Sequence, residues 1–136
     1  MRALGADEVV DRERTPEWHD AVRELTANNG AELIIDVAGS LDQSLRCVAV
    51  GGEIACVGVL DSERAAAVTP ATMFASVAAV RVVAVGSRAQ FEAMNRAIEL
   101  HKVRPVIDRV FGFEQAPEAN RYYERDSPFG KVVISR

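Results

Sequence analysis

The sequence has few of the features that mark disulfide-rich or metal-binding proteins. Its two cysteines, Cys47 and Cys56, are too few for a disulfide framework, and their spacing does not match a C-x-x-C motif. The two histidines, His19 and His101, lie far apart along the chain and add no ligand spacing. We therefore expect no metal site in this chain.

Charge and hydropathy argue against two further classes of protein. Sixteen basic against twenty acidic residues give a net charge of −4, which leaves no basic face for phosphates, so no nucleic-acid partner is expected. No apolar run approaches the ~20 residues that a membrane span needs, and no charged-then-apolar leader opens the chain. These absences predict a soluble, cytoplasmic protein without a membrane partner.

The composition is that of a chain with a packed core. Of its 136 residues, 49% are hydrophobic and 26% charged, which predicts one compact domain rather than a disordered segment. Aromatic residues are scarce, at 6%, while alanine and valine are plentiful. This balance suits a tightly layered sheet with helices packed against it.

Short apolar runs alternate with amphipathic segments along the chain. Thr15-Pro16 is a favourable helix start, and apolar residues then recur at helical spacing, which places Trp18, and Met94 in a later helix, in the expected core. Residues 61–69 show no period. The predicted strands are 8–11, 33–37, 53–59, 80–85, 106–113 and 131–135, with helices beginning at Pro16, Leu41, Pro70 and Pro117 and after Ser87, and a turn at Gly51-Gly52.

This alternation predicts an α/β fold, specifically an open, doubly wound parallel sheet. The run 33–37 is almost continuously apolar, the pattern of a parallel strand that is covered on both faces. Ligands of such sheets bind beyond the carboxyl ends of the strands. Glycine occurs at three of these ends, in segments 36–40, 57–60 and 85–88, either to admit a ligand or to make a strand-to-helix turn.

Four polar side chains have two readings each. Ser87 caps the following helix in a capping box with Gln90, or its helix start contacts a phosphate. Asp36 is a general base at a strand end or caps the next loop. Lys131 pairs with a phosphate or is a solvated lysine, and Tyr122 packs on a helix face or acts as an acid catalyst.

Several common catalytic motifs do not occur. The sequence contains no G-x-G-x-x-G after a strand, no P-loop, no G-x-S-x-G and no H-E-x-x-H. From the residues alone, the chain is an α/β domain with a plausible ligand crevice, and no catalytic residue is identified.

Several motifs in order are similar to those of the medium-chain dehydrogenases/reductases, the zinc-type alcohol dehydrogenase and quinone oxidoreductase-like superfamily. The first is an L-G-A-D motif near the start of the chain, and the last is a G-K motif near its end. The matching segments are 3–11, 34–39, 51–60, 104–108, 113–116, 118–119 and 129–134.

This resemblance implies a partial Rossmann-like sheet. In that family an N-terminal catalytic domain, with zinc in some members, precedes a coenzyme domain, and L-G-A-D lies inside the latter. The chain would then lack the catalytic domain and the first glycine-fingerprint strand. Residues 1–105 would be part of an NAD(P)-binding Rossmann domain, and residues 106–136 a return segment towards the catalytic domain.

The resemblance also implies which positions contact the coenzyme, NAD or NADP. One group would lie along the adenosine and ribose, a second beside the nicotinamide, a third at the next strand end, and a lysine near the phosphates. In that order they are Val37, Ala38 and Gly39; Val57, Gly58 and Val59; Val83, Ala84 and Val85; and Lys131. Residues 80–85 would pair across a two-fold in a homodimer.

The resemblance therefore implies part of an oxidoreductase that transfers hydride between NAD(P) and an alcohol, a carbonyl compound or an activated alkene. The chain alone is expected to be catalytically silent, and any zinc would belong to the catalytic domain. A non-catalytic Rossmann remnant that dimerises or binds a partner is the alternative. An unrelated α/β fold, such as a methyltransferase or a flavodoxin-like domain, accounts for the alternation but not for the ordered motifs.

Overall fold

The computed structural model describes residues 1–59, 67–126 and 128–136 and confirms an α/β fold with parallel strands. Leu60 of the predicted strand-end segment 57–60, residues 61–66 of the stretch 61–69 that shows no period, and Ser127 lie outside the described residues. The helices and strands are α1 Trp18–Leu25, β1 Ala31–Asp36, α2 Leu41–Cys47, β2 Val48–Cys56, α3 Pro70–Ser76, β3 Ala79–Val82, α4 Arg88–Leu100, β4 Ile107–Gly112, α5 Ala116–Asp126 and β5 Lys131–Ser135.

The chain divides into two compact units rather than one, Met1–Val85 and Gly86–Arg136. The first contains a three-stranded parallel sheet in the order β1-β2-β3, and the second a two-stranded parallel sheet of β4 and β5. The expected domain boundary after residue 105 concerns the architecture of the whole family and stays a prediction. None of the described helices is both long and apolar enough to cross a membrane.

The core of the first unit lies on one face of its sheet. Leu45 of α2 packs with Val48 and Ile54 of β2, and all three are almost completely buried. The apolar run 33–37 predicts that β1 is covered on both of its faces, but within this unit only one face is covered. Leu33 and Ile35, which alternate with the packed residues, are 59% and 62% exposed. The sheet of this unit therefore keeps one exposed apolar face.

The first expected strand, 8–11, is not formed. A strand needs a hydrogen-bonded neighbour, and no described residue pairs with this segment. The chain instead begins with a 3₁₀ turn over Arg2–Leu4, and Arg2 forms an ion pair with Glu8. The backbone N–H of Thr15 donates to the carbonyl of Asp11 at 2.9 Å, which makes a turn there.

The first helix starts later than the Thr15-Pro16 signal predicts. Its first residue is Trp18, and the side chain of the preceding residue, Glu17, forms no capping hydrogen bond. The start is held from another helix, because Gln43 of α2 donates from Nε2 to the carbonyl of Pro16 at 2.7 Å. The Gln43 Oε1 accepts from the backbone N–H of His19 at 3.3 Å. A tertiary contact thus overrides the local capping signal.

Both later strands of the first sheet are displaced from their predicted ranges. The turn expected at Gly51-Gly52 lies inside β2, where the register with β1 jumps. A Cβ on Gly52 would come within 2.9 Å of the Glu32 carbonyl oxygen, so this irregularity needs glycine. The third strand ends at Val82, so residues 83–85 lie beyond it.

One arginine joins several segments at the end of this unit where the strands begin. Arg23 donates to three backbone carbonyls: Nε to that of Arg46 at 2.9 Å, Nη1 to that of Asn28 at 2.9 Å and Nη2 to that of Val48 at 3.1 Å. These carbonyls belong to the last turn of α2, the loop before β1 and the start of β2. The guanidinium thereby links the two helices to the sheet.

We predict that Arg23→Met lowers the free energy of unfolding by about 2 kcal/mol, because three carbonyls lose a charged donor. The matched control is Arg46→Met, since the Arg46 side chain is exposed and forms no hydrogen bond within the described residues. It should change stability by less than about 0.5 kcal/mol. Urea unfolding of both variants measures the difference, and equal losses would contradict this role.

In the second unit, the helix after Ser87 matches its predicted capping. The Ser87 Oγ accepts from the Gln90 N–H at 3.3 Å, and the Gln90 Oε1 accepts from the Ser87 N–H at 2.7 Å. The capping reading of Ser87 is thus the one formed. Met94 was predicted to be a core residue, but it is half-exposed on α4. The final helix and strand cover the predicted segments.

Tyr122 of α5 packs on β4. Its ring centroid lies 5.6 Å from that of the buried Phe111, and the Arg109 guanidinium lies within about 5 Å of both rings. Its hydroxyl donates to Asp108 Oδ2 at 2.6 Å. This hydrogen bond is the main reason why the pKa of Tyr122 is raised, and partial burial and the charges of Asp108 and Asp126 add to it.

Alkaline titration should separate the two tyrosines of the chain. We predict that Tyr122 ionises above the ordinary tyrosine range and that Asp108→Asn lowers its pKa, because the negative acceptor is lost. The hydrogen bond needs the protonated phenol, so its contribution to stability is present below pH ~10 and is lost as the pH rises through the raised pKa.

Ultraviolet absorbance measures this titration, with Tyr122→Phe and Tyr123→Phe to assign the two phenols. A pKa for Tyr122 that does not change in Asp108→Asn would contradict the assigned cause.

Candidate functional site

The carboxyl ends of the strands in the first unit lie side by side. Asp36 pairs with Cys56 at the end of the β1–β2 ladder, and the Asp36 carbonyl then accepts from the N–H of Val57 at 2.8 Å. The Val83 N–H donates to the Cys56 carbonyl at 2.9 Å, which places the end of β3 beside that of β2. The structure thus brings the three predicted strand-end segments of this unit, 37–39, 57–59 and 83–85, to one edge of the sheet.

The Asp36 carboxylate is buried at this edge, with a residue exposure of 6%. Its Oδ1 accepts from the backbone N–H groups of Gly39 at 2.8 Å and Ser40 at 3.1 Å, and its Oδ2 from the Ser44 hydroxyl at 3.1 Å. Of the two readings of Asp36, the structure forms the loop cap. The carboxylate ties the end of β1 to the loop that follows and to α2.

Two of the strand-end glycines are needed for contact between the loops themselves. A Cβ on Gly58 would lie 2.2 Å from the Val37 carbonyl oxygen, far inside van der Waals contact. Gly39 has a φ of +91°, and its Cβ would lie 2.9 Å from the Val59 Cα. The turn or packing reading therefore accounts for both glycines without a ligand, and the loops after β1 and β2 interlock.

A cavity of about 340 Å³ opens beside the end of β1. Ile34 and Ile35 point to opposite faces of the strand and both line it, so the cavity wraps around the open edge of β1. Most of its wall is apolar, and the polar lining residues are two serines, one aspartate and one arginine. The lining residues are Val10, Arg12, Trp18, Ile34, Ile35, Asp36, Val37, Ala38, Ser40 and Ser44.

Trp18 and Arg12 were not recognised as candidate site residues from the sequence. Trp18 was assigned to the core because it begins a helical apolar face, but it is only half-buried and lines the cavity. Arg12 stands in a run of mixed charges that carries no local signal. Both reach the cavity through the tertiary fold, which places the segment before α1 against β1.

The thiols of this unit are poor nucleophiles. Burial raises the pKa of Cys47 to about 11. Burial and the neighbouring Asp36 charge also raise the pKa of Cys56. Because the thiolate is the reactive form, neither cysteine is activated for catalysis. Within residues 1–59, 67–126 and 128–136, no group of three or more potential metal ligands comes together.

The remaining predicted residues are placed as follows. Val83 and Val85 are exposed beyond β3, Val85 at 95%. Lys131 begins β5 in the second unit, where its backbone N–H donates to the Val106 carbonyl at 2.8 Å. Its ammonium is exposed, as the solvated reading predicts, and a phosphate contact stays a prediction. Tyr122 holds its proton in the bond to Asp108, which makes it a weaker acid than an ordinary tyrosine.

The comparisons with known proteins all indicate the same family. The model of the zinc-binding dehydrogenase family matches residues 4–134. A zinc-type alcohol dehydrogenase-like protein of Schizosaccharomyces pombe is 33% identical over 141 residues, which cover 98% of this chain and 40% of the relative.

Solved structures agree. A candidate alcohol dehydrogenase of Sinorhizobium meliloti has 35% identity and a TM-score of 0.85, with 99% of this chain and 39% of that protein covered. An NAD-dependent alcohol dehydrogenase has 29% identity and a TM-score of 0.78 over the same shares of each chain.

The chain thus spans about 40% of the length of these relatives. The resemblance to the medium-chain dehydrogenases/reductases, with the Rossmann-like coenzyme region as the matching part, is confirmed. With the family model matching nearly every residue, the chain belongs to the zinc-binding dehydrogenase family.

Proposed function

We propose that this chain forms part of the coenzyme-binding region of an oxidoreductase that transfers hydride between NAD(P) and an alcohol, a carbonyl compound or an activated alkene. Family membership supports the class of enzyme. One observation on this chain carries the proposal. At the carboxyl ends of the strands, a mostly apolar cavity adjoins the interlocked loops 37–39 and 57–59. Ligands of parallel sheets bind at such an edge.

The cavity would receive the adenosine half of the coenzyme, and its size and lining support this assignment. Its volume of about 340 Å³ lies within the usual range for small-molecule sites, and its wall offers Trp18 and aliphatic side chains to a flat ring. Val37, Ala38 and Gly39 would follow the adenosine and ribose. The Ser40 hydroxyl adds a polar group at the wall, suited to a sugar hydroxyl.

The nicotinamide half would lie along the loop after β2. Val57, Gly58 and Val59 offer backbone groups for a carboxamide, and valine side chains that keep water from the ring. Val83, Ala84 and Val85 would continue this wall at the next strand end. For Lys131, which lies in the second unit, the family resemblance alone supports a phosphate contact. When bound, the nicotinamide itself supplies the hydride chemistry.

No catalytic group is assigned to this chain. The described residues offer no metal-ligand cluster, so they do not fit a zinc ion and no zinc-dependent step is derived from them. Their thiols and Tyr122 have pKa values displaced away from neutrality. The role proposed for these residues is to bind and orient the coenzyme, and we expect no turnover from the 136-residue chain alone.

A non-catalytic module that dimerises or binds a partner is the second candidate function. It is favoured by the exposed apolar face of the first sheet, where Leu33 and Ile35 are more than half exposed. The outer edge of β3 also has no strand beside it among the described residues. A homodimer formed through residues 80–85 would use this edge.

Direct binding of NAD(H) and NADP(H) tests the proposal. We predict measurable binding by calorimetry, and a loss of about tenfold or more in affinity for Ala38→Leu, which fills the cavity with extra side-chain atoms. Ala75→Leu, at an exposed position of α3, is the matched control and should change the dissociation constant by less than about twofold.

Equal effects of the two variants, or no binding of any dinucleotide by the folded chain, would contradict the coenzyme role. Concentration-dependent self-association in sedimentation, together with no dinucleotide binding, would support the module instead.

A further inference from the structure

We infer that Asp36 is a positioning residue, which sets the adenosine-side loop and the nicotinamide-side loop of the cleft in one fixed arrangement. The inference rests on the proposed coenzyme role of these loops. Its basis is that one residue holds both segments by different groups, its carboxylate one loop and its carbonyl the other.

The carboxylate holds the loop on the adenosine side. Both of its oxygens are occupied, Oδ1 by the N–H groups of Gly39 and Ser40 and Oδ2 by the hydroxyl of Ser44. A buried carboxylate with three donors is strongly oriented, because each bond to a charged acceptor is stronger than a neutral one. These bonds fix the path of residues 37–40.

The carbonyl of the same residue holds the loop on the nicotinamide side. It accepts from the Val57 N–H at 2.8 Å and lies 3.4 Å from the Gly58 nitrogen. Gly58 in turn lies so close to the Val37 carbonyl that no side chain fits between them. Asp36 thus contacts both loops, and we expect a displacement of its side chain to be passed to the loop after β2 through Val37.

Position also distinguishes this residue from a general stability element. Within the first unit, Arg23 fixes the other end of α2 through three carbonyls near the start of the strands. Loss of either anchor should loosen α2, but only loss of Asp36 should release the strand-end loops. The two residues thus form a matched pair, one at the cleft and one remote from it.

The test compares Asp36→Ala with Arg23→Met in the full chain, at a temperature where both are folded. Amide hydrogen exchange without ligand should rise in Asp36→Ala at Gly39 and Ser40 and also at Val57 and Gly58, whereas Arg23→Met should leave these four amides protected. Affinity for NADH and NADPH should fall about tenfold in Asp36→Ala and change less than about threefold in Arg23→Met.

Two conservative variants keep the test decisive should Asp36→Ala not fold. Asp36→Asn retains an oxygen that accepts from Gly39 and Ser40, so it should recover most of the protection and affinity. Ser44→Ala removes one donor and should produce a smaller effect in the same direction.

Three results would overturn the inference. Faster exchange confined to Gly39 and Ser40 would show that the loops are independent. Equal losses of affinity in Asp36→Ala and Arg23→Met would show a general stability effect. Full affinity in Asp36→Ala would show that positioning is not needed. If the wild-type chain binds no dinucleotide, the proposed function fails, while the exchange results still decide whether Asp36 couples the loops.

Discussion

The carboxyl end of the first sheet depends on one buried carboxylate, which accepts hydrogen bonds from three donors. Asp36 lies where β1 ends, and burying its charge is tolerable only because Gly39, Ser40 and Ser44 supply donors. Those donors come from the following loop and from α2, so satisfying the charge fixes the geometry of both. Asp36, Ser40 and Ser44 also line the cavity beside β1, so these hydrogen bonds fix part of its wall.

The two ends of the first unit are organised by opposite charges. At the carboxyl ends of the strands, the carboxylate of Asp36 collects N–H and O–H donors, and at the amino ends the guanidinium of Arg23 collects three carbonyls. Glycine completes each end: Gly58 and Gly30 both leave less than 3 Å between a would-be Cβ and a neighbouring carbonyl oxygen. The helix α2 is anchored between them, and its Leu45 fills the core.

The sequence predicted the elements whose signals are local and missed those that depend on distant partners. The Ser87–Gln90 capping box formed where expected because both of its partners lie within the segment, and α2 and β5 formed where their apolar patterns predict them. The predicted strand 8–11 is not formed because no described residue pairs with it, and α1 begins late because Gln43 holds its start. The family resemblance was correct, whereas the cavity joins segments that no spacing rule connects.

If Asp36 holds the loops after β1 and β2 as one unit, a double-mutant cycle of Asp36→Ala and Gly58→Ala should show that the two positions are coupled. A methyl group at Gly58 meets the Val37 carbonyl, so Gly58→Ala should cost about 2–3 kcal/mol in the wild-type background. Where Asp36 no longer holds the loop, Val37 can yield, and the cost should fall by about 1 kcal/mol or more. The same cost in both backgrounds, within about 0.5 kcal/mol, would show two independent loops and contradict the account.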